Sequence, residues 1–136
     1  MKNIEKYIVR KDWILVTCSG TLGRVTLVRD HWNGWTATNH MTRIIPSTDI
    51  NPGYLTIFLQ SIYGAHQLES LGYGGVVEEI DEAGELLNDV LIPIPFDGKI
   101  QEKIGNLVLE AYDKRDEANI IEDNAVKLLE NRLEEL

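Results

Sequence analysis

A single cysteine, Cys18, stands among 136 residues, which excludes an internal disulfide and fits a reducing compartment. No segment approaches the roughly 18 consecutive apolar residues that a membrane span needs. The opening MKNIEKYIVRKDW lacks the apolar stretch that directs secretion. The expectation is a cytoplasmic protein with no membrane partner. His31, His40, His66 and Cys18 fall in no CxxC or HxxxH spacing, so no metal site is expected. Cys18 has no base and orienting group in a recognisable pattern, and Ser19-Gly20 lacks the glycine two positions before the serine that a nucleophile elbow needs. Ser-Gly-Thr-Leu-Gly (19–23) and Gly-Tyr-Gly-Gly (72–75) are glycine-rich, yet neither is a phosphate-binding GxxxxGK[ST] loop. The run Glu78-Glu79-Ile80-Asp81-Glu82 reads as a solvated turn, because consecutive residues there point to opposite sides. No catalytic residue is expected.

Positive charge is missing from a whole segment. Residues 44–98 hold nine acids and no Lys or Arg. Residues 1–43 hold seven bases against three acids, and residues 99–136 hold six against ten. The net charge of −9 therefore hides a basic opening third. That third is also rich in hydrogen-bonding side chains: Ser19, Thr21, Arg24, Thr36, Thr38, Asn39, His40, Thr42 and Arg43. Arginine and asparagine read base edges by paired hydrogen bonds, while Ser and Thr suit phosphate contacts. The same residues also serve ordinary turns and strand edges, and composition alone favours that plainer reading.

The chain divides near Gly98. Before it, β-branched and aromatic runs broken by glycine and asparagine predict strands at Trp13–Cys18, Arg24–Arg29, Trp35–Thr38 and Arg43–Ile45, with Asn33-Gly34 as a short hairpin turn. Asn51-Pro52-Gly53 opens a helix whose apolar spacing runs to Gly64, and a second helical turn spans His66 to Leu71. Leu91-Ile92-Pro93-Ile94-Pro95 must be extended, as an edge strand or a wall segment, because each proline pushes its predecessor out of helical space. From Lys99 there is no proline and one glycine, Gly105, so a single helix to Leu136 is predicted, about 57 Å long at about 1.5 Å per residue. Ile100, Ile104, Leu107, Ala111, Ala118, Ile121, Ala125 and Leu128 follow steps of four and three, with Lys114 the one polar intruder between Ala111 and Ala118, the signature of a coiled-coil seam. A body of about a hundred residues, with a radius of gyration near 13 Å, is too small to cover that stripe. A partner helix is expected on Ile104, Leu107, Ala111, Ala118, Ile121, Ala125 and Leu128. The fold class is α+β: a small mixed domain of short strands and helices over residues 1–98, then one long helix over 99–136.

Five segments in succession, KDWILVTCSGTLGRV (11–25), NHMTRIIP (39–46), GYLTIFLQSIYGAHQL (53–68), GYGGVVEEI (72–80) and LIPIPFDGKIQEKIGNLV (91–108), carry a resemblance. Together they resemble the DNA-specificity subunit of type I restriction–modification enzymes. More narrowly, they are similar to the second half of one target recognition domain with its following helix. The resemblance implies a non-catalytic chain that binds double-stranded DNA, docks on modification subunits and pairs through its helix with a second specificity chain or a copy of itself. S-adenosylmethionine, ATP and Mg are implied on the partner subunits only. It implies DNA contacts at Ser19, Thr21, Arg24, Thr38, Asn39, His40 and Arg43, and at Tyr73 as the tip of the glycine loop. A complete subunit of this kind carries two recognition domains and this chain has at most one, and its resemblance to the family begins at the mid-domain strand, which implies a partial recognition domain. The alternative is an interaction fragment that dimerises through the helix without binding DNA by itself. A small hydrolase using Cys18 has no supporting spacing.

Overall fold

The computed structural model describes residues 3–17, 23–38, 40–72 and 87–136. Cys18, Leu22, the glycine loop from Tyr73, Val76-Val77, the acidic run and the Asp81–Gly84 turn lie outside the described residues. The fold is α+β, as the sequence predicts, with a small antiparallel sheet, short helices and one long C-terminal helix.

Strand β1 (Ile14–Thr17) lies at the centre of a three-stranded antiparallel sheet, with β2 (Val25–Leu27) on one side and β3 (Met41–Ile44) on the other. Ile14 pairs with Leu27 and with Ile44, and Leu15 with Thr26 and with Arg43. The apolar run Ile14-Leu15-Val16 is buried on both faces, which explains why it does not alternate with polar residues. Ile14 and Val16 pack with Leu27, Leu55, Leu59, Leu68 and Tyr112 beneath the helices. Leu15 faces the other way, into Val9 and Val28, with Trp13, Trp32, Ala37 and Met41 around them. The sheet thus separates two apolar layers, and each fully buried aliphatic side chain contributes roughly 1.5–3 kcal/mol.

The predicted strand Trp35–Thr38 is reduced to one antiparallel bridge, Ile8↔Thr36, flanked by two hydrogen bonds. The predicted Asn33-Gly34 hairpin is also replaced. A 3-10 turn at Asp30–Trp32 precedes it, and Asn33 (φ −60°, ψ 122°) with Gly34 (φ +87°) makes a type II turn closed by the Trp35 N–H donating to the Trp32 carbonyl at 3.0 Å. A type II turn needs positive φ at its third position only, so glycine is required there and asparagine is not strained.

Helix α1 (Pro52–Gln60) is capped by Asn51, whose Oδ1 accepts from the Gly53 and Tyr54 N–H groups, with proline at the first helical position. The helical spacing predicted up to Gly64 breaks at Ser61, which is extended (ψ 165°). Its hydroxyl donates to the Phe58 carbonyl at 2.6 Å and accepts from the Gly64 N–H, ending α1 and opening α2 (Ile62–Gly72). The Leu91–Pro95 segment is a wall without ladder pairing. Gln67 serves as its backbone partner, accepting from the Leu91 N–H at 2.7 Å and donating to the Leu91 carbonyl at 2.9 Å, and the Tyr54 hydroxyl donates to the Pro93 carbonyl at 2.6 Å.

Helix α3 (Gly98–Glu134, 37 residues) is capped by Asp97 and crosses α1 closely. At the crossing Asn51 donates its N–H to Gln101 Oε1 at 2.7 Å and its amide to Glu102 and Asn106. Gln101, Gly105 and Tyr112 are its buried residues, with Val108 and Leu109 half-buried beside them. Residues 120–136 are exposed throughout. Among the described residues no helix is long and apolar enough to cross a membrane.

Candidate nucleic-acid interface

One end of the sheet gathers three of the residues singled out in the sequence. The Thr17 N–H donates to the Arg24 carbonyl at 2.9 Å, and Thr17 pairs with Met41 across β3. Arg24 and His40 therefore flank the Thr17 end of β1, and Thr38 joins them through its hydroxyl, which accepts from the His40 N–H at 3.4 Å. All three are exposed. Ser19, Thr21, Asn39 and Tyr73 lie outside the described residues.

Arg43 is placed differently. It stands opposite Leu15 in the register, so strand alternation sends it to the face covered by the N-terminal segment. There its guanidinium donates to the carbonyls of Met41 (3.2 Å), Tyr7 (3.2 Å) and Ala37 (2.8 Å). These bonds stitch β3 to two irregular segments and use three of the five guanidinium N–H donors, while Nε is buried without a partner among the described residues.

Arg29, at the end of the predicted second strand, is the one base among the described residues that binds two carboxylates. Its Nε and Nη2 donate to the two oxygens of Asp113 at 2.7 and 3.0 Å, and its Nη1 donates to Asp12. The side chain is only 11 % exposed. Asp12 holds a left-handed backbone (φ +69°), which aspartate adopts more readily than most residues. Next to it the His31 N–H donates to Asp116 Oδ2 at 2.9 Å, the His31 ring approaches Asp123 at 3.8 Å and packs beside Trp35. Asp113, Asp116 and Asp123 lie on one face of α3 at helical spacing and clamp it to the segment after β2. Nothing in local sequence pairs residues so far apart, although acids three and seven positions apart on one helix were a visible hint.

The Arg29 hydrogen bonds hold the Asp113 carboxyl below the usual carboxylate range, against a smaller upward push from burial, and Asp113 in turn raises the Arg29 guanidinium further above its already high value. A carboxyl lowered on folding contributes stability that is fully present above its unfolded value near 4 and is lost as pH falls through the folded value. The thermal stability gap between the wild type and Asp113→Asn should be constant from neutral pH down to about 5 and close below about 4. Parallel melting profiles across that range would mean that the clamp contributes no pH-dependent stability.

The predicted partner-helix residues stay uncovered. Ile104, Leu107, Ala111, Ala118, Ile121, Ala125 and Leu128 are all exposed, because the body takes the neighbouring stripe through Gly105 and Tyr112. Among the described residues no cluster of His, Cys, Asp and Glu could hold a metal ion.

A comparison with curated proteins finds no match. The family model of the type I restriction modification DNA specificity domain matches residues 1–127, nearly the whole chain, and the protein belongs to that family.

Proposed function

We propose that this chain is a sequence-specific DNA recognition module of a type I restriction–modification system. It has no catalysis of its own and directs partner methylation and cleavage subunits to a target site. The observation that carries this reading is the family match across residues 1–127. The geometry supports it: exposed Arg24, Thr38 and His40 share one end of the sheet, and α3 leaves the body with an apolar stripe free for a partner. In this reading residues 1–98 form a partial recognition domain and 99–136 a spacer and pairing helix. S-adenosylmethionine, ATP and Mg belong to the partner subunits. The second reading, an interaction module that does not bind DNA by itself, draws on the −9 balance of residues 44–98.

Selection from a random duplex pool, with the chain bound to its modification subunit, separates the two. The first reading expects enrichment of one motif and a roughly tenfold loss of affinity, about 1.4 kcal/mol, on Arg24→Ala with the fold intact. A formed complex that enriches no sequence supports the second reading.

A further inference from the structure

Six of the seven bases in residues 1–43 lie among the described residues, and the structure divides them into two sets. Lys11 is paired with Asp30 at 2.9 Å, Arg29 is held by Asp12 and Asp113, and Arg43 is spent on carbonyls. Lys6, Arg10 and Arg24 remain, all exposed and without a carboxylate partner among the described residues. Arg24 belongs to the sheet end already described. Lys6 and Arg10 do not, and no motif in the sequence marks them.

Both lie on the short ribbon built around the Ile8↔Thr36 bridge. The Ala37 N–H donates to the Tyr7 carbonyl at 2.9 Å and the Val9 N–H to the Trp35 carbonyl at 2.8 Å, which sets the register. Val9 and Ala37 face the apolar layer under the sheet, so alternation turns Ile8, Arg10 and Thr36 outward. Thr36 and Thr38 are exposed on the same extended segment, and Lys6 is exposed in the 3-10 turn (Ile4–Tyr7) that leads in, its ammonium 4.9 Å from the centre of the Tyr7 ring. Of the acids in residues 3–38, Asp12 and Asp30 are neutralised by Arg29 and Lys11, and Glu5 alone is untied. In an acidic chain this is a face where cations and hydroxyl donors outnumber free carboxylates.

We propose that the ribbon formed by residues 6–10 and 34–38 is a second contact with duplex DNA, and that it grips the phosphate backbone through Lys6 and Arg10. The inference rests on the DNA-recognition reading and extends it. Flexible cations beside threonine hydroxyls suit phosphate oxygens and carry no base pattern, so the ribbon positions the duplex and leaves sequence reading to other residues. The carbonyl contacts of Arg43 give this role a structural basis, because they lock the ribbon rigidly onto β3.

The test is the salt dependence of duplex binding by the full chain bound to its modification subunit. Every cation that neutralises a phosphate adds about 0.9 to the slope of log K against log salt, so Lys6→Gln with Arg10→Gln should lower that slope by about 1.8. The loss of affinity should be equal on a selected duplex and on a random one. Lys6→Arg with Arg10→Lys should keep the wild-type slope, and circular dichroism should show both double variants folded. A wild-type slope in the glutamine variant would overturn the ribbon and leave the recognition reading intact. A wild-type complex that binds no duplex at all would overturn both.

Discussion

Gly105→Ala should be among the most damaging single-methyl changes in the body, lowering stability by about 3–5 kcal/mol. Any Cβ at position 105 runs directly into the side-chain amide of Asn51, and a Cβ on Gly53 would meet the Gly105 carbonyl. The two glycines let α1 and α3 cross backbone to backbone, and Asn51 fills the notch between them. Through its side chain and N–H, Asn51 makes five hydrogen bonds there: two close the first turn of α1 and three reach α3. Pushing it aside costs the helix cap, about 0.5–2 kcal/mol, and leaves buried polar groups unpaired at about 1–3 kcal/mol. Overpacking adds about 1–3 kcal/mol more, and a domain of this size holds about 5–15 kcal/mol in total. Urea denaturation measures it. Gly98→Ala, at a glycine with open space around it, should stay within about 0.5 kcal/mol of wild type. A double-mutant cycle isolates the cause. Once Asn51→Ala has emptied the notch, adding Gly105→Ala should cost little more, whereas additive losses would place the clash elsewhere.

That crossing shows how far the sequence could be read. The start of α1 was legible because Asn-Pro-Gly combines a side-chain cap with a proline in the one helical turn that tolerates it. The length of α3 was legible because proline is absent, and β1 because β-branched residues cluster in it. Gly105 was visible as the one glycine of the helix beyond its first residue, Gly98. Its role was not, because a close approach needs the other helix, whose capping residue lies fifty positions or more earlier. Trp35–Thr38 has strand composition, yet the type II turn at Asn33-Gly34 leaves room for only one bridge. The helical spacing to Gly64 was real but discontinuous: Ser61 ends one helix and caps the next while the apolar residues keep their period. In the candidate interface, Arg24 and Arg43 looked alike in sequence. Register alone separates them, turning one out to solvent and the other onto three carbonyls. Arg29 and Asp113 stand 84 positions apart, and charge counting cannot pair them.

Ile121→Asp should disperse the pairing proposed for α3 and leave the body untouched. The two faces of this helix have separate tasks. Gly105, Tyr112 and the three aspartates hold it to the body, while the stripe through Ile104, Leu107, Ile121 and Leu128 remains open. Ile121 is 69 % exposed and lies beyond the last half-buried residue, Asn119, so the body gains nothing from it. Beyond Asp123, which reaches the His31 ring at 3.8 Å, the helix is exposed throughout, and an isolated helix of that length is marginal in water. A partner helix on the open stripe would stabilise it, and would bury Ile120 or Val126 at its margins together with Ile121. An aspartate inside that seam is an uncompensated buried charge, worth about 3–5 kcal/mol and so a hundredfold or more in association. Light scattering on the eluted peak should therefore change from the paired to the single mass, with the melting of the body unchanged. Glu122→Gln, one position off the seam, should leave the mass as it was. If Ile121→Asp pairs as the wild type does, the open stripe is not the interface, and the spacing of heptads along α3 serves something other than pairing.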